Sequence, residues 1–413
     1  MSSNHEALKI LFLTHYFPPE IGAPQARISE LAQRLAGDGD KVTVLTGLPN
    51  YPTGVIPEGY RARFSVVEHM HGVRVLRRWV YATPNSGFFK RIVNHLSFVA
   101  TSLTALRQVG SVDVMYVESP PLLIGLSAFI FSWLKRAPFV LNVSDIWPQS
   151  AIELGVLRNR VAIWLAEALE GRMYRKAARV TVPTSGIHIR LSARVHPPGK
   201  VALITNGVDI DLYRPQPPDP DLARSWGLDG RKVFLYAGTH GLAQGLGIIL
   251  DAARLTDDPD IIYVLAGEGA DKAALVERAD REGLVNVRFL PNQPKESMPS
   301  LLNLAYASIV TLKPLDIFRA ALPTKMFESM GIGKPVVGAL WGEAADLLER
   351  ARCGVVVAPG DAAALHRAVV SLAGDPERAR DMGRRGRDYV VEHYNRRTIT
   401  VTLRELLVEA ARR

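Results

Sequence analysis

KILFLTHYFPPEIGAPQARISELAQRLAGDGDKVTVLTG (9–47) holds one complete strand–loop–helix–strand unit, and its reading decides the fold. KILFLTH (9–15) carries the consecutive apolar run Ile10, Leu11, Phe12 and Leu13, as in a strand buried on both faces. In 26–39, Ile28, Leu31, Ala32 and Leu35 recur at the spacing of an amphipathic helix. KVTVLTG (41–47) is the next strand, so the unit reads as βαβ with parallel strands. The pattern repeats outward through RVLRRWVY (74–81), VDVMYVES (112–119), PFVLNVSD (138–145), RVTVPTS (179–185) and KVALITNG (200–207). Pro215, Pro217, Pro218 and Pro220, interleaved with Asp219 and Asp221, break it and read as a linker. It then restarts: KVFLYAG (232–238), IIYVLAG (261–267), NVRFLPN (286–292), ASIVTLK (307–313), KPVVGAL (334–340) and CGVVVAP (353–359). The fold class is therefore α/β, with two Rossmann-like doubly wound parallel-sheet domains and an interdomain cleft as the expected site. The boundaries predicted are 1–211 and 212–388, with a helical segment at 389–413.

The 413 residues suit two domains, and 47% apolar with 22% charged residues excludes a disordered or fibrous chain. A single cysteine, Cys353, excludes a disulfide framework and a cysteine-rich metal site, and fits a reducing compartment. MSSNHEALKILFLTH lacks the basic start and the long apolar run of a signal peptide. The apolar stretch 120–134 is shorter than the roughly 20 residues of a membrane span. The expected location is cytoplasmic, soluble or peripheral at the membrane. Residues 1–210 carry 23 Lys and Arg against 14 Asp and Glu, so the whole net charge of +9 sits in the first half. That half either faces something anionic (a membrane surface, a lipid phosphate or nucleic acid) or is simply a solvated basic surface. Arg61, Arg63, Arg74, Arg77 and Arg78 precede Trp79, and SGFFKRIVNHLSFVATSL (86–103) joins Phe88 and Phe89 to Lys90 and Arg91. The latter reads as a membrane-docking helix, with Phe88, Ile92, His95, Val99 and Ser102 along one stripe, or as a core helix.

Open parallel sheets bind ligands at the carboxyl ends of their strands, so the loops there hold the candidate residues. After the first strand, Gly22 permits close approach of backbone N–H groups to a phosphate or sugar oxygen, or is a plain turn glycine, and His15 at the strand end is a further candidate or a structural histidine. Glu118 and Asp145 end neighbouring strands as candidates for base or sugar-hydroxyl binding, or as capping carboxylates. In the second half, YAGTHGLAQGL (236–246) and LAGEGADK (265–272) are glycine-rich strand ends without the dinucleotide or Walker spacing, suited to phosphate or to plain turns. LPTKMFESMGIGKPVV (322–337) enters a helix at Pro323, with Thr324 as the expected N-cap and Lys325 and Glu328 on one face of the first turn. A cation there suits a diphosphate and a carboxylate one turn on suits a ribose diol; a surface ion pair is the plain alternative.

The order HYFPPEIGAPQARISELAQRLAGDGDKVTVLTG, SDIWPQSAIELG, ITNGVDIDLYRP, YAGTHGLAQGL, PTKMFESMGIGKPVVG and GEAADLLERARCGVVVAPGDAAAL resembles glycosyltransferase family 4. It is most similar to the branch that builds bacterial surface polysaccharides, including N-acetylfucosaminyl transferases of O-antigen and colanic acid synthesis. The resemblance implies a GT-B fold, with the acceptor on the first domain, a nucleotide sugar on the second, and the last helix crossing back to the first. It also implies a retaining, metal-independent transfer with no cofactor, from a nucleoside-diphosphate sugar, expected to be a UDP-sugar, to a lipid-linked or oligosaccharide acceptor. An anionic membrane surface is an expected partner and nucleic acid is not. The donor side implied is Gly22, Gly238, Thr239, Gln244, Gly245, Lys325 and Glu328, with the backbone at Leu290 and Pro291 against the base; the acceptor side is Asp145, Glu118, His15 and Arg27. Three positions depart from the family. Ala320 stands where the first acid of E-x7-E belongs, Thr239 and Gln244 replace an Arg and a Lys, and Ser144 replaces a histidine near Asp145. The rival readings are a GT-B epimerase or hydrolase, an NAD-dependent oxidoreductase, and a non-catalytic partner protein.

Overall fold

A computed structural model describes every residue except 1–5, 21, 52, 84–87, 154 and 413. The chain forms two compact units, Met1–Thr205 with Arg397–Arg413, and Asn206–Arg396. Among the described residues the first unit has eight strands: β1 (Lys9–Leu13), β2 (Lys41–Gly47), β3 (Ser65–Met70), β4 (Val73–Arg78), β5 (Val114–Ser119), β6 (Phe139–Val143), β7 (Arg179–Val182) and β8 (Val201–Leu203). They lie in the order β3-β4-β2-β1-β5-β6-β7-β8. β2 and β5 both pair parallel to β1, so the chain winds outward from β1 in both directions and its order reverses between β1 and β5. β1, β5 and β6 bury nearly every side chain, as their apolar runs require.

The all-parallel expectation fails at one edge, where β3 pairs antiparallel to β4. In β3, half-buried Val66, Glu68 and Met70 alternate with exposed Ser65, Val67 and His69. A search for continuous apolar runs passes over such a strand. Its local signal is the two-residue turn His71-Gly72, with φ of 47° and 80°, the left-handed pair that suits a tight hairpin.

The second unit has β9 (Lys232–Ala237), β10 (Ile261–Ala266), β11 (Val287–Leu290), β12 (Ala307–Thr311), β13 (Val336–Ala339) and β14 (Gly354–Val357). These strands pair parallel in the order β11-β10-β9-β12-β13-β14, which reverses between β9 and β12. Helices cover both faces. Val233, Leu235 and Ala237 enter one apolar cluster, while Phe234 and Tyr236 enter the other.

The expected boundaries shift for reasons of packing. The proline-rich stretch lies inside the second unit, because Val208 and Tyr213 before it are buried in that core. The Arg387 guanidinium also donates to the carbonyls of Tyr213 (2.6 Å), Gly331 (2.7 Å) and Ile210 (3.1 Å). Pro220 opens the helix Pro220–Ser225, capped by Asp219. At the other end the single helical segment expected from 389 is broken. Helix Pro376–His393 buries Val390 in the second core, and only helix Arg396–Ala411 passes to the first unit. There Leu403, Leu407 and Ala410 join Ile10, Phe12 and Tyr116 in the core, and Arg404 binds buried Asp40 at 2.8 and 2.9 Å. Leu407→Ala should therefore destabilise the first unit by about 2–5 kcal/mol, read by urea denaturation; a loss below 0.5 kcal/mol would show that the terminal helix is not part of that core.

Candidate active site

In the second unit the strand reversal lies between β9 and β12, so the loops leaving these strands diverge there. Residue 238 follows β9 at φ +139°, a region open to glycine, and the site for a Cβ lies 3.1 Å from the Lys325 ammonium. Lys325 sits in the first turn of helix Thr324–Gly331, and its Nζ lies 3.9 Å from the centroid of the Tyr236 ring. The ammonium donates to the Tyr236 hydroxyl at 2.5 Å, and that hydroxyl donates to the Thr239 carbonyl at 2.7 Å. The relay fixes the lysine, the end of β9 and its loop in one arrangement. Burial pulls the Lys325 pKa down to about 7, against the opposing charge of half-buried Glu328 one turn on.

Pro323, rather than Thr324, caps this helix; Thr324 is already its first helical residue, and no side chain caps it. The Gln244 carbonyl accepts from the Thr311 hydroxyl at 2.7 Å, and Gly245 turns at φ +61°. Gly267 and Gly269 have a packing role: a Cβ on Gly267 would overlap the Gly238 carbonyl, and one on Gly269 would overlap the His240 backbone. The loops after β9 and β10 are thus pressed together. The base-side expectation is weakened: the Leu290 carbonyl already accepts from Gly267 N–H (3.2 Å) and Lys272 Nζ (3.1 Å), and Pro291 offers only a carbonyl, which accepts from Gln293 (3.0 Å). Sequence reasoning passed over Tyr236, hidden in an apolar strand, and His240, fully buried between the two loops with its pKa pushed down to about 4, chiefly by burial.

In the first unit the reversal lies between β1 and β5, and there the expected roles change. The Arg27 guanidinium meets Glu118 at 2.6 Å, with 3% and 4% of the two side chains exposed. Glu118 also accepts from the Ser144 hydroxyl (2.7 Å) and the Asn142 amide (2.9 Å), and Arg27 donates to Ser144 (2.9 Å). Burial pushes the Glu118 pKa up, while Arg27, Ser144 and Asn142 hold it down. Glu118 is buried and spent on these three donors, so it is not placed to act on an acceptor; Arg27 is buried against it, with Nη1 left without a hydrogen bond. His15 is likewise sealed. It is buried, with Nε2 2.7 Å from Asn94 Oδ1 and the rings of Tyr16, His95 and Phe98 around it, and burial takes its pKa well below 6.5.

Asp145 stays half-buried just beyond β6. Burial raises its pKa, against hydrogen bonds from the Ser150 hydroxyl and Ile146 N–H. It lines a small cavity with Ser119, Trp147, Glu170 and Tyr174, and of the acceptor-side candidates it alone keeps partial access. Gly22 precedes helix Ala23–Gly37 with an extended φ of 167° that any residue adopts, and the end of the Gln25 side chain folds against it. Buried Glu20 carried no sequence signal. It accepts from Phe17 (3.1 Å), Asn50 (2.9 Å) and Tyr51 (2.8 Å) N–H groups and ties the loops after β1 and β2 together, with burial raising its pKa to about 7.

Comparison with known proteins bears on the family and the fold. The sequence model described as Glycosyl transferase 4-like domain matches residues 22–207, and that of Glycosyl transferases group 1 matches 219–389. The putative colanic acid biosynthesis glycosyl transferase WcaI of Escherichia coli is 26% identical over 344 residues, covering 79% of this chain and 82% of that protein. D-rhamnosyltransferase WbpZ of Pseudomonas aeruginosa is 30% identical over 230 residues, 55% and 58% of the two chains. The chain belongs to glycosyltransferase family 4. Anabaena HepE in complex with UDP and glucose shares the fold at a TM-score of 0.70 and 21% identity, covering 97% of this chain and 99% of that one.

This family 4 glycosyltransferase therefore has the GT-B fold, and the epimerase, hydrolase and oxidoreductase alternatives find no support. Its two units treat the same topological position differently. The reversal in the second is lined by glycine and a lysine; that in the first is filled by an ion pair. Glu118→Gln leaves Arg27 buried beside a neutral amide, so it should cost on the order of 3 kcal/mol in denaturant unfolding. A fully stable variant with lost activity would instead return Glu118 to the chemistry.

Proposed function

We propose that this glycosyltransferase moves a sugar, with retention of anomeric configuration, from a nucleoside-diphosphate sugar to a lipid-linked glycan in cell-surface polysaccharide synthesis. The observation that carries this reading is the Lys325 ammonium held by Tyr236 against Gly238 at the β9/β12 reversal. HepE, which shares the fold, binds UDP and glucose, and a UDP-sugar is the donor proposed here. In the reaction the bond from the anomeric carbon to the β-phosphate oxygen breaks, an acceptor hydroxyl oxygen bonds that carbon, and the hydroxyl proton passes to the departing diphosphate. Lys325 and the first-turn N–H groups of its helix would stabilise the departing diphosphate in place of a metal ion. Glu328 would accept from the ribose hydroxyls, and Asp145 would orient the acceptor. The membership of WcaI in colanic acid biosynthesis supports the surface-polysaccharide assignment.

Isothermal calorimetry with UDP, GDP, ADP and dTDP tests the donor side. The wild type should bind at least one of them, and Lys325→Met should weaken that binding by about 2 kcal/mol, the scale of a charge-assisted contact. The ammonium titrates near pH 7 in the free protein, and a bound diphosphate favours its protonated form. Binding should then take up a proton and weaken as pH rises above 7, a slope that Lys325→Met removes. Asp145→Asn should lower transfer while sparing nucleotide affinity. A wild type that binds no nucleoside diphosphate would overturn the reading.

The proposed acceptor and location also involve a membrane. Among the described residues no helix is long and apolar enough to cross one. Helix Phe88–Ser102 packs into the core through Asn94, Phe98, Thr101 and Ser102, which differs from the stripe read in the sequence. Residues 86 and 87, and the Phe88 side chain, lie outside the described residues. What faces outward in its first turn is Phe89, 76% exposed, with exposed Lys90 and Arg91. Anionic lipid attracts such cations at about 1 kcal/mol each, and the ring suits the interface. Flotation with phosphatidylglycerol vesicles should exceed that with phosphatidylcholine, fade with salt, and fall in a Phe89→Ser, Lys90→Glu, Arg91→Glu variant. Equal flotation with both vesicles, or with neither, would sink peripheral docking.

A further inference from the structure

The loop after β9, GTHGLAQGL (238–246), contains no lysine or arginine, and burial keeps its one histidine, His240, neutral. A diphosphate brings at least two negative charges, and Lys325 supplies at most one positive charge, only partly present near pH 7. A second cation lies at the far end of the same loop. Lys313 leaves β12 two residues beyond Thr311, and its N–H donates to the Ala243 carbonyl at 2.9 Å. The Thr311 hydroxyl binds the Gln244 carbonyl, so residues 243 and 244 are pinned to the end of β12. A Cβ on Gly245 would lie 3.1 Å from Lys313 Cγ, so the glycine leaves room for the aliphatic stem of the lysine across the loop. Lys313 is half-buried, and its ammonium makes no ion pair among the described residues.

The connection from β12 to helix Thr324–Gly331 thus carries a lysine near each end, and each lies against a glycine of one loop: Lys325 on Gly238, Lys313 on Gly245. We propose that Lys313 is the second cation of the diphosphate subsite, clamping the bound group from the opposite end of the Gly238–Gly245 loop. This rests on the donor reading above. The Lys313 stem is held by the loop, while the ammonium stays free to meet a phosphate oxygen at the divergence of the two loops. A charged group placed this way adds affinity for the second phosphate and none for the nucleoside.

The test is calorimetry with UDP, UMP and uridine on the wild type, Lys313→Ala and Lys313→Arg, with thermal melts as a check of folding. If UDP is not the ligand, the tightest of GDP, ADP and dTDP replaces it, with its own monophosphate and nucleoside. Lys313→Ala should bind the diphosphate at least 10-fold more weakly, with nucleoside affinity within 2-fold of wild type, and Lys313→Arg should recover most of the loss. The wild-type preference for diphosphate over monophosphate should shrink in Lys313→Ala. Unchanged diphosphate affinity in Lys313→Ala, or an equal loss for diphosphate and nucleoside, would overturn the proposal and leave the donor reading intact. A wild type that binds none of the four diphosphates would instead remove the donor reading itself, and this proposal with it.

Discussion

Strands buried on both faces have no place for an unpartnered polar group except at their ends. In this glycosyltransferase the polar groups that do enter the strands, such as Asn142, Thr181 and Ser308, are hydrogen-bonded to side-chain partners. β9 and β10 alternate side chains into two apolar clusters, one on each face, so a charged side chain within them would lack a partner. Tyr236 meets the constraint in an informative way. Its ring is buried with Phe234 and Tyr263, while its hydroxyl emerges at the strand end to accept from Lys325 and donate to Thr239. One residue is core at its base and a polar anchor at its tip.

The lysine it holds is costly to keep charged. Burial favours the neutral amine, and Glu328 only partly opposes that. An ammonium kept marginal in the free protein gains most when an anion arrives, because the anion supplies the interaction that burial removed. The relay through Tyr236 also means that little side-chain freedom remains to be lost on binding. The close loops serve the same end. Gly267 and Gly269 let the β10 loop press on the β9 loop, and that support limits where Gly238 and Thr239 can move.

Much of the fold was legible in the sequence because its strands are nearly continuous apolar runs. β3 was not, because half its side chains face outward and its signal lies in the turn at His71-Gly72. The domain boundary was misread because proline was taken as a sign of linkage, although Val208 and Tyr213 before the prolines belong to the second core. Lys325 and Glu328 were legible as neighbours on one helical turn, since spacing alone sets that relation. Tyr236 and Lys313 were not, because their proximity to Lys325 and Gly245 depends on the register of β9 against β12 and on the path of a loop. Glu118 and Arg27 illustrate the opposite failure. An acid at a strand end looks catalytic until burial is known, and here the two neutralise each other across 91 positions of sequence.

The contrast between the two strand reversals suggests a division of labour on one topology. In the first unit the ends of β1 and β5 are knitted by Arg27, Glu118, Ser144 and Asn142, and buried Glu20 ties the loops that follow β1 and β2. Glu118 is held there by three partners and Arg27 by two, with one guanidinium nitrogen left without a hydrogen bond, while Asp145 farther out stays half-buried. In the second unit the corresponding space is bordered by glycines; the Lys325 ammonium is held by a tyrosine hydroxyl with Glu328 one turn on, and the Lys313 backbone is held by the Ala243 carbonyl. A charge neutralised by a buried ion pair within the protein, as in Arg27 and Glu118, is not available to an incoming anion. The same doubly wound sheet therefore carries a buried ion pair at one reversal and a lysine tied to a tyrosine hydroxyl and a glycine loop at the other.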